Sequence, residues 1–316
     1  MKTRTIGILG LGHVGAHVAY TLAVQGLADT LILSDINRQK AISECQDIRD
    51  AVAYLPHRVM VQVGELIDFG ACDILINCVG ESSQLATKDR LSELKFTIPM
   101  VDSIVQGIKE SGFSGILVNI TNPCDIITYH LIAKMGMPKG RVFGTGSALD
   151  TSRLLSAISQ RTGIDHKSIT AYMLGEHGKA QFSPWSCVCF RGMPLEDWAE
   201  TSYKFRLDQD VLEKEAIDGG WVTVSGKGCT EYGIASTAAY VVRTILHDEK
   251  AVIPVSMELH GEYGESGLCA GVPCVIGSNG VEEIIELPLT EIELKRFHSC
   301  CDVIRGNMKS IEGLLR

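Results

Sequence analysis

Four short stretches of the 316-residue chain hold side chains of the kinds that move protons or grip charges. They are Gln84-Leu85-Ala86-Thr87-Lys88-Asp89-Arg90, Thr121-Asn122-Pro123, Leu149-Asp150-Thr151-Ser152-Arg153 and Gly175-Glu176-His177-Gly178. His177 sits between an acid and a glycine in LGEHGKAQF, a segment that otherwise reads as buried strand. Imidazole carries a proton that is in play near neutral pH, so His177 is either an acid–base group or a hydrogen-bonded core residue. The other polar residues also have plain structural readings. Asp150 can cap the helix that follows it, Arg153 can pair on the surface, Asn122-Pro123 can be an ordinary turn, and Arg90 can open a solvated helix. Those readings leave unexplained why all four stretches fall at expected strand ends or at the junction between two halves of the chain.

A fifth stretch, Gly10-Leu11-Gly12-His13-Val14-Gly15, follows the first apolar run and opens the first helix-like segment. In that context the first glycine permits a tight turn, the second lets backbone approach a pyrophosphate, and the third lets helix and strand pack closely. The helix N-terminus then offers unpaired N–H groups to phosphate. Asp35 ends the next apolar run, about 20 residues on. A carboxylate there accepts from a ribose 2′-hydroxyl and repels a 2′-phosphate, so the cofactor expected is NAD rather than NADP.

The elements that must position these groups follow from the apolar pattern. TIGILG, TLILSD, VMVQVG, CDILINCVG, GILVNIT and RVFGTG alternate with amphipathic segments such as His13 to Leu27 and Arg38 to Tyr54. That alternation predicts parallel β-α-β units with helices on both faces, which bind ligands at the carboxyl ends of the strands. After about Gly146 the pattern changes. A helix is expected from Leu149 to Arg161, then an antiparallel meander through ITAYMLGEHG and WSCVCFRG, and a helix from Tyr232 to His247. Strands VIPVSMEL and PCVIGSNGVEEIIEL follow, with a turn at Ser278-Asn279-Gly280, and an amphipathic helix from Thr290 to Leu315 ends the chain. The expected fold class is α/β: a Rossmann-type doubly wound parallel sheet in residues 1–146, then a mixed α+β substrate-binding half in residues 147–316, with a cleft between them.

Composition narrows the function classes. The net charge of −9 comes without a Lys/Arg cluster, which disfavours nucleic acid, while a few local arginines can still bind a small anion. The 11 cysteines form no C-x-x-C pair, so no metal site is expected and the thiols read as reduced small hydrophobes. The N-terminus lacks a signal-peptide pattern and no apolar run approaches a membrane span; a cytoplasmic protein with no membrane partner is expected.

GLGHVG, NITNPCDI, GTGSALDTSR, LGEHG, GKGCTEYGIA and GVPCVIGSNGV together resemble the L-lactate/malate dehydrogenase superfamily over essentially the whole chain. LGEHGKAQFSPWS and GGWVTVSGKGCTEYGIAS look closest to the L-2-hydroxyisocaproate dehydrogenase branch. The resemblance implies NAD-dependent interconversion of a 2-hydroxy acid and a 2-oxo acid. His177 matches the family's proton acceptor and Asp150 the carboxylate that holds its other ring nitrogen. Arg153 matches the guanidinium that grips the substrate carboxylate through paired hydrogen bonds, and Arg90 the one that polarises the reacting carbonyl. Asn122 resembles a residue orienting substrate and nicotinamide, and Thr230 and Ile234 resemble pocket residues. Glu81 to Asp89 resembles a closing lid.

On specificity, the family's discriminating position, six before the catalytic arginine, falls on Gln84, but Leu85-Ala86-Thr87 replaces the family's usual Lys-Pro-Gly, so the register leaves Ser83 or Leu85 as alternatives. A neutral amide offers no partner to the second carboxylate of malate. Apolar Leu85 suits a branched chain, so a bulky aliphatic 2-oxo acid is expected, with ordinary lactate as the alternative and a non-catalytic NAD-binding protein as the alternative of another class. Leu155 and Thr170 stand where sugar-bisphosphate-activated relatives carry a basic residue and a histidine, so no such activation is expected. Family members form homodimers or homotetramers, and the same is expected here.

Overall fold

In this computed structural model the described residues are 3–80, 90–311 and 313, with the side chains of 90–93 outside the description. Six short strands make the parallel part of the main sheet: β1 (Thr5–Leu9), β2 (Thr30–Ser34), β3 (Met60–Val63), β4 (Ile74–Asn77), β5 (Ile116–Asn119) and β6 (Val142–Gly144). Their order is β6-β5-β4-β1-β2-β3. The central strands β4 and β5 are buried along their whole length, as a sheet covered on both faces requires. The linking helices are α1 (His13–Val24), α2 (Arg38–Val52), α3 (Arg90–Glu110) and α4 (Cys124–Met135). Strand order reverses between β1 and β4, which opens a crevice at their carboxyl ends, where the glycine turn lies.

Beyond β6 come α5 (Ala148–Thr162) and a small three-stranded sheet of β7 (Ile169–Thr170), β8 (Cys189–Phe190) and β9 (Met193–Pro194). Next are α6 (Leu195–Thr201), α7 (Gln209–Lys227) and α8 (Tyr232–Leu246), which packs along α1. The chain then returns to the first sheet. Antiparallel β10 (Ala251–His260) joins the edge of β6 through Ser256 opposite Gly144, and β11 (Ser266–Gly277) and β12 (Gly280–Ile284) extend the sheet to nine strands. The β11–β12 turn is Ser278-Asn279, closed by Gly280 at φ +93°. α9 (Glu291–Ser310) begins with a capping box, Thr290 and Glu293 each satisfying the other's backbone N–H. One large core runs through the sheet, and a satellite core of Leu154, Ile158, Met173, Phe190 and Phe205 lies under α5 and the small sheet.

Two sequence expectations change. The segment Leu174 to Phe182 is not a strand; only isolated bridges pair Leu174 with Phe182 and Gly175 with Gly271. Gly175 has φ +92°, and a Cβ there would lie 2.7 Å from the Cys300 side chain, so the chain folds back as a loop. The meander therefore shrinks to strands of two residues. The long helix α7 has no clear sequence signature, because Gly219, Gly220 and a β-branched run blur its period. Among the described residues no helix is long and apolar enough to cross a membrane, and the 11 cysteines are all unpaired.

Candidate active site

The glycine turn is dictated by close packing. Gly10 has φ +82°, and a Cβ there would lie 2.7 Å from the Cys78 carbonyl oxygen. A Cβ on Gly15 would fall 1.8 Å from the Gly10 oxygen, so α1 can approach β1 this closely only with glycine at that position. Gly12 is the N-cap of α1, and a Cβ there would meet nothing within 4 Å. That open space against a helix N-terminus is a place for an anion. Asp35, at the end of β2, accepts the Leu11 N–H at 2.7 Å and the Asn37 N–H at 2.8 Å. The carboxylate thus ties the glycine turn to the second strand while staying half-exposed at the crevice.

A cavity of about 730 Å³ continues from the turn. Val14, Asn122, Leu149, His177, Thr230 and Ile234 line it, together with Asp150 and Arg153. It therefore brings residues expected to serve cofactor and substrate into one space. His13 is exposed beside it at the start of α1. Arg90 is the first residue of α3, with its side chain outside the described set, and Gln84 and the rest of 81–89 lie outside the described residues.

His177 is held at both ends. Its Nδ1 lies 2.6 Å from Asp150 Oδ2, and Asp150 is 1% exposed. An ionised carboxylate there makes Nδ1 the donor and leaves Nε2 as the nitrogen that exchanges a proton. Asp150 Oδ1 accepts from Arg153 Nη1 at 2.7 Å, the i,i+3 geometry placing both on one face of α5. Burial pushes the Asp150 carboxyl up, but the His177 ring and the Arg153 guanidinium outweigh it and hold it below the usual carboxylate range. Gly219 and Gly220 of α7 lie against Arg153; a Cβ on either would come 3.1 to 3.4 Å from its side chain.

The backbone of His177 is anchored by a second acid that the sequence reading did not single out. Asp125 Oδ2 accepts the His177 N–H at 2.8 Å, and its Oδ1 accepts the Ser256 hydroxyl at 2.6 Å. Asp125 is 3% exposed, and burial lifts its pKa to about 6 against the lowering effect of these two bonds. The available signal was a lone acid in the apolar run CDIITYHLI, together with a lone serine in the strand VIPVSMEL. Gln181 is also new: its side chain reaches Asp150 and donates to the Gly178 oxygen.

Asn122, at a cis peptide bond to Pro123, keeps a buried Oδ1 with no hydrogen-bond partner among the described residues. An orphaned acceptor on a cavity wall fits a ligand that brings a donor. With the open ground before Gly12 and the charge pair at Asp150 and Arg153, the residues present fit a dinucleotide and a small acid side by side.

Comparisons with known proteins agree over the full chain. The family model described as lactate/malate dehydrogenase, NAD binding domain, matches residues 4–144. The one described as lactate/malate dehydrogenase, alpha/beta C-terminal domain, matches residues 147–314. An L-lactate dehydrogenase of Fusobacterium nucleatum subsp. nucleatum is 43% identical over 307 residues, covering 96% of each protein. L-lactate dehydrogenase 3 of Bacillus cereus is 40% identical over 312 residues, covering 98% of each. The crystal structure of the minor L-lactate dehydrogenase from Enterococcus mundtii in its ligands-bound form superposes with a TM-score of 0.93 at 34% identity, covering 98% of both chains.

Proposed function

Because the chain belongs to the lactate/malate dehydrogenase family, whose members are NAD-dependent oxidoreductases acting on 2-hydroxy acids, we propose that its substrate pair is L-lactate and pyruvate. The expectation of a branched aliphatic acid gives way. Relatives aligned over nearly the whole chain carry the name L-lactate dehydrogenase, whereas the branched-chain reading rested on Leu85 and on two stretches that resemble the hydroxyisocaproate branch. Gln84, neutral at the discriminating position, is compatible with lactate and unfavourable to malate.

The observation that carries the mechanism is the chain of contacts from His177 through Asp150 to Arg153 inside one cavity. Residues 1–146 hold NAD through Gly10, Gly12, Val14, Gly15 and Asp35, and residues 147–316 supply most of the substrate site. NAD, when bound, accepts the hydride from the hydroxyl-bearing carbon in oxidation and returns it in reduction. In oxidation His177 Nε2 takes the hydroxyl proton; in reduction it delivers that proton to the carbonyl oxygen. Asp150 stabilises the imidazolium that exists between those events and fixes which nitrogen faces the substrate. Arg153 binds the substrate carboxylate, and Thr230 and Asn122 bound the space around it. Arg90 polarises the carbonyl.

The test is kcat/KM with NADH for pyruvate, 4-methyl-2-oxopentanoate and oxaloacetate. Pyruvate should lead; a higher value for the branched acid would restore the bulky-substrate reading. Assembly as a homodimer or homotetramer belongs to the same proposal. It is supported by exposed Tyr54, Tyr232 and Tyr240 beside and on the helices α2 and α8, and sedimentation of a monomer would refute it.

A further inference from the structure

At the rim of the cavity the start of α1 meets the turn between α7 and α8 through three side chains of metal-binding type. His13 is the first residue of α1, and Cys229 and Glu231 lie two apart in the turn after Lys227. One ligand atom from each lies within 4.8 Å of the other two. Four ligands arranged tetrahedrally around zinc stand about 3.5 Å apart, so small side-chain rotations bring these three to bonding distance. Glu231 already divides its oxygens: Oε2 pairs with the Lys227 ammonium, and Oε1 faces His13 Nδ1 at 2.8 Å. Lys227 also lies 3.8 Å above the Tyr232 ring. An ion can therefore enter between Oε1 and Nδ1 without displacing Lys227.

We propose that His13, Cys229 and Glu231 form a three-ligand zinc site that fastens the glycine turn to the α7–α8 turn at the mouth of the cavity. The expectation of a protein without a metal site rested on the missing C-x-x-C pair. Here two ligands are two residues apart and the third comes from more than two hundred residues away, a spacing no local motif reveals. One imidazole, one thiolate and one carboxylate suit zinc, whereas calcium and magnesium require mostly oxygen. On binding, the Cys229 thiol releases its proton to solvent, and the thiolate joins the Glu231 carboxylate in facing the ion. Exposed His13 gives the route of entry. Since Cys229, Thr230 and Val14 all line the cavity, the bound ion stands where the dinucleotide must pass.

The test uses chelator-stripped full-length protein titrated with cobalt(II) as a spectroscopic stand-in and then with zinc. One equivalent of cobalt should give a thiolate-to-metal charge-transfer band that zinc abolishes. Cys229→Ser should remove the band, and His13→Ala, which removes a direct ligand, should weaken binding by more than about tenfold, the lower end of the roughly 10- to 100-fold cost of losing even an outer-shell partner. A band that survives in the Cys229 variant, or cobalt binding unchanged in the His13 variant, overturns the site. With saturating zinc the Kd for NADH, followed by its fluorescence, should rise severalfold; an unchanged Kd overturns the placement of the ion across the cofactor's path.

Discussion

Asp125→Asn isolates the effect of burying a second carboxylate behind the catalytic histidine. The amide keeps the shape: its oxygen still accepts the His177 N–H, and its NH2 can donate to Ser256 once that hydroxyl rotates. What disappears is the ionisation. Burial raises the folded pKa from 3.8 to about 6, so the folded state binds this proton more tightly than the unfolded chain does. The stabilising contribution of the protonated acid is complete below pH 3.8, declines as pH rises, and is lost above about 6, where holding the charge inside costs about 3 kcal/mol. Integrating the two titrations, wild type should recover about 1.5 kcal/mol of this between pH 8 and pH 5. The asparagine variant has no such recovery, and every other group is common to both proteins. Its stability relative to wild type should therefore be about 1.5 kcal/mol more favourable at pH 8 than at pH 5. Urea unfolding of both proteins at several pH values, at one protein concentration, measures this directly. A stability difference that stays constant across that range would refute the argument, because it would mean that Asp125 is ionised at pH 5 or solvated enough not to matter.

Other expectations concern the site itself. His177→Asn should bind NADH as wild type does and lose at least about a hundredfold in kcat; fluorescence titration and steady-state rates separate the two effects, and normal turnover would remove His177 from the chemistry. Asp150→Asn should lower kcat by roughly 10- to 100-fold, the worth of a charge-assisted hydrogen bond of about 1.5–3 kcal/mol. It should also move the pH dependence of pyruvate reduction to lower pH, because the imidazolium loses its counter-charge; an unmoved profile contradicts the pairing. Arg153→Lys should raise the pyruvate KM by about tenfold while leaving the NADH Kd alone, since an ammonium cannot present two parallel donors. Fructose bisphosphate should leave the rate curve unchanged, because Leu155 and Thr170 give a phosphate nothing to pair with; a sigmoidal curve that becomes hyperbolic on its addition would contradict this.

Much of this molecule is legible in its sequence. The glycine turn, Asp35 and six alternating apolar runs signalled the parallel sheet, because buried strands and their punctuating glycines act locally and leave local marks. His177, Asp150 and Arg153 were marked by residue type and by family resemblance. What stayed hidden depends on distant contacts. Asp125 looks like one more residue of a helix until Ser256 and the His177 backbone arrive from 131 and 52 positions away. The loop at Leu174 to Phe182 has the apolar composition of a strand, and only the pressure of Cys300 against Gly175 shows why it cannot run straight. In α7 the glycines that weaken the helical pattern are the ones that make room for Arg153.

The seam at β6 has a consequence for how this protein can be cut and recombined. The strand that ends the first half is covered along its outer edge by β10, from the second half. A fragment stopped at Gly146 would present that flank bare to water, with its row of unsatisfied peptide groups and the apolar residues beside it. Such a fragment should clump or pair with strangers rather than persist as an independent cofactor-binding module. Grafting a foreign partner onto residues 1–146 would have to import a matching terminal strand along with any new specificity.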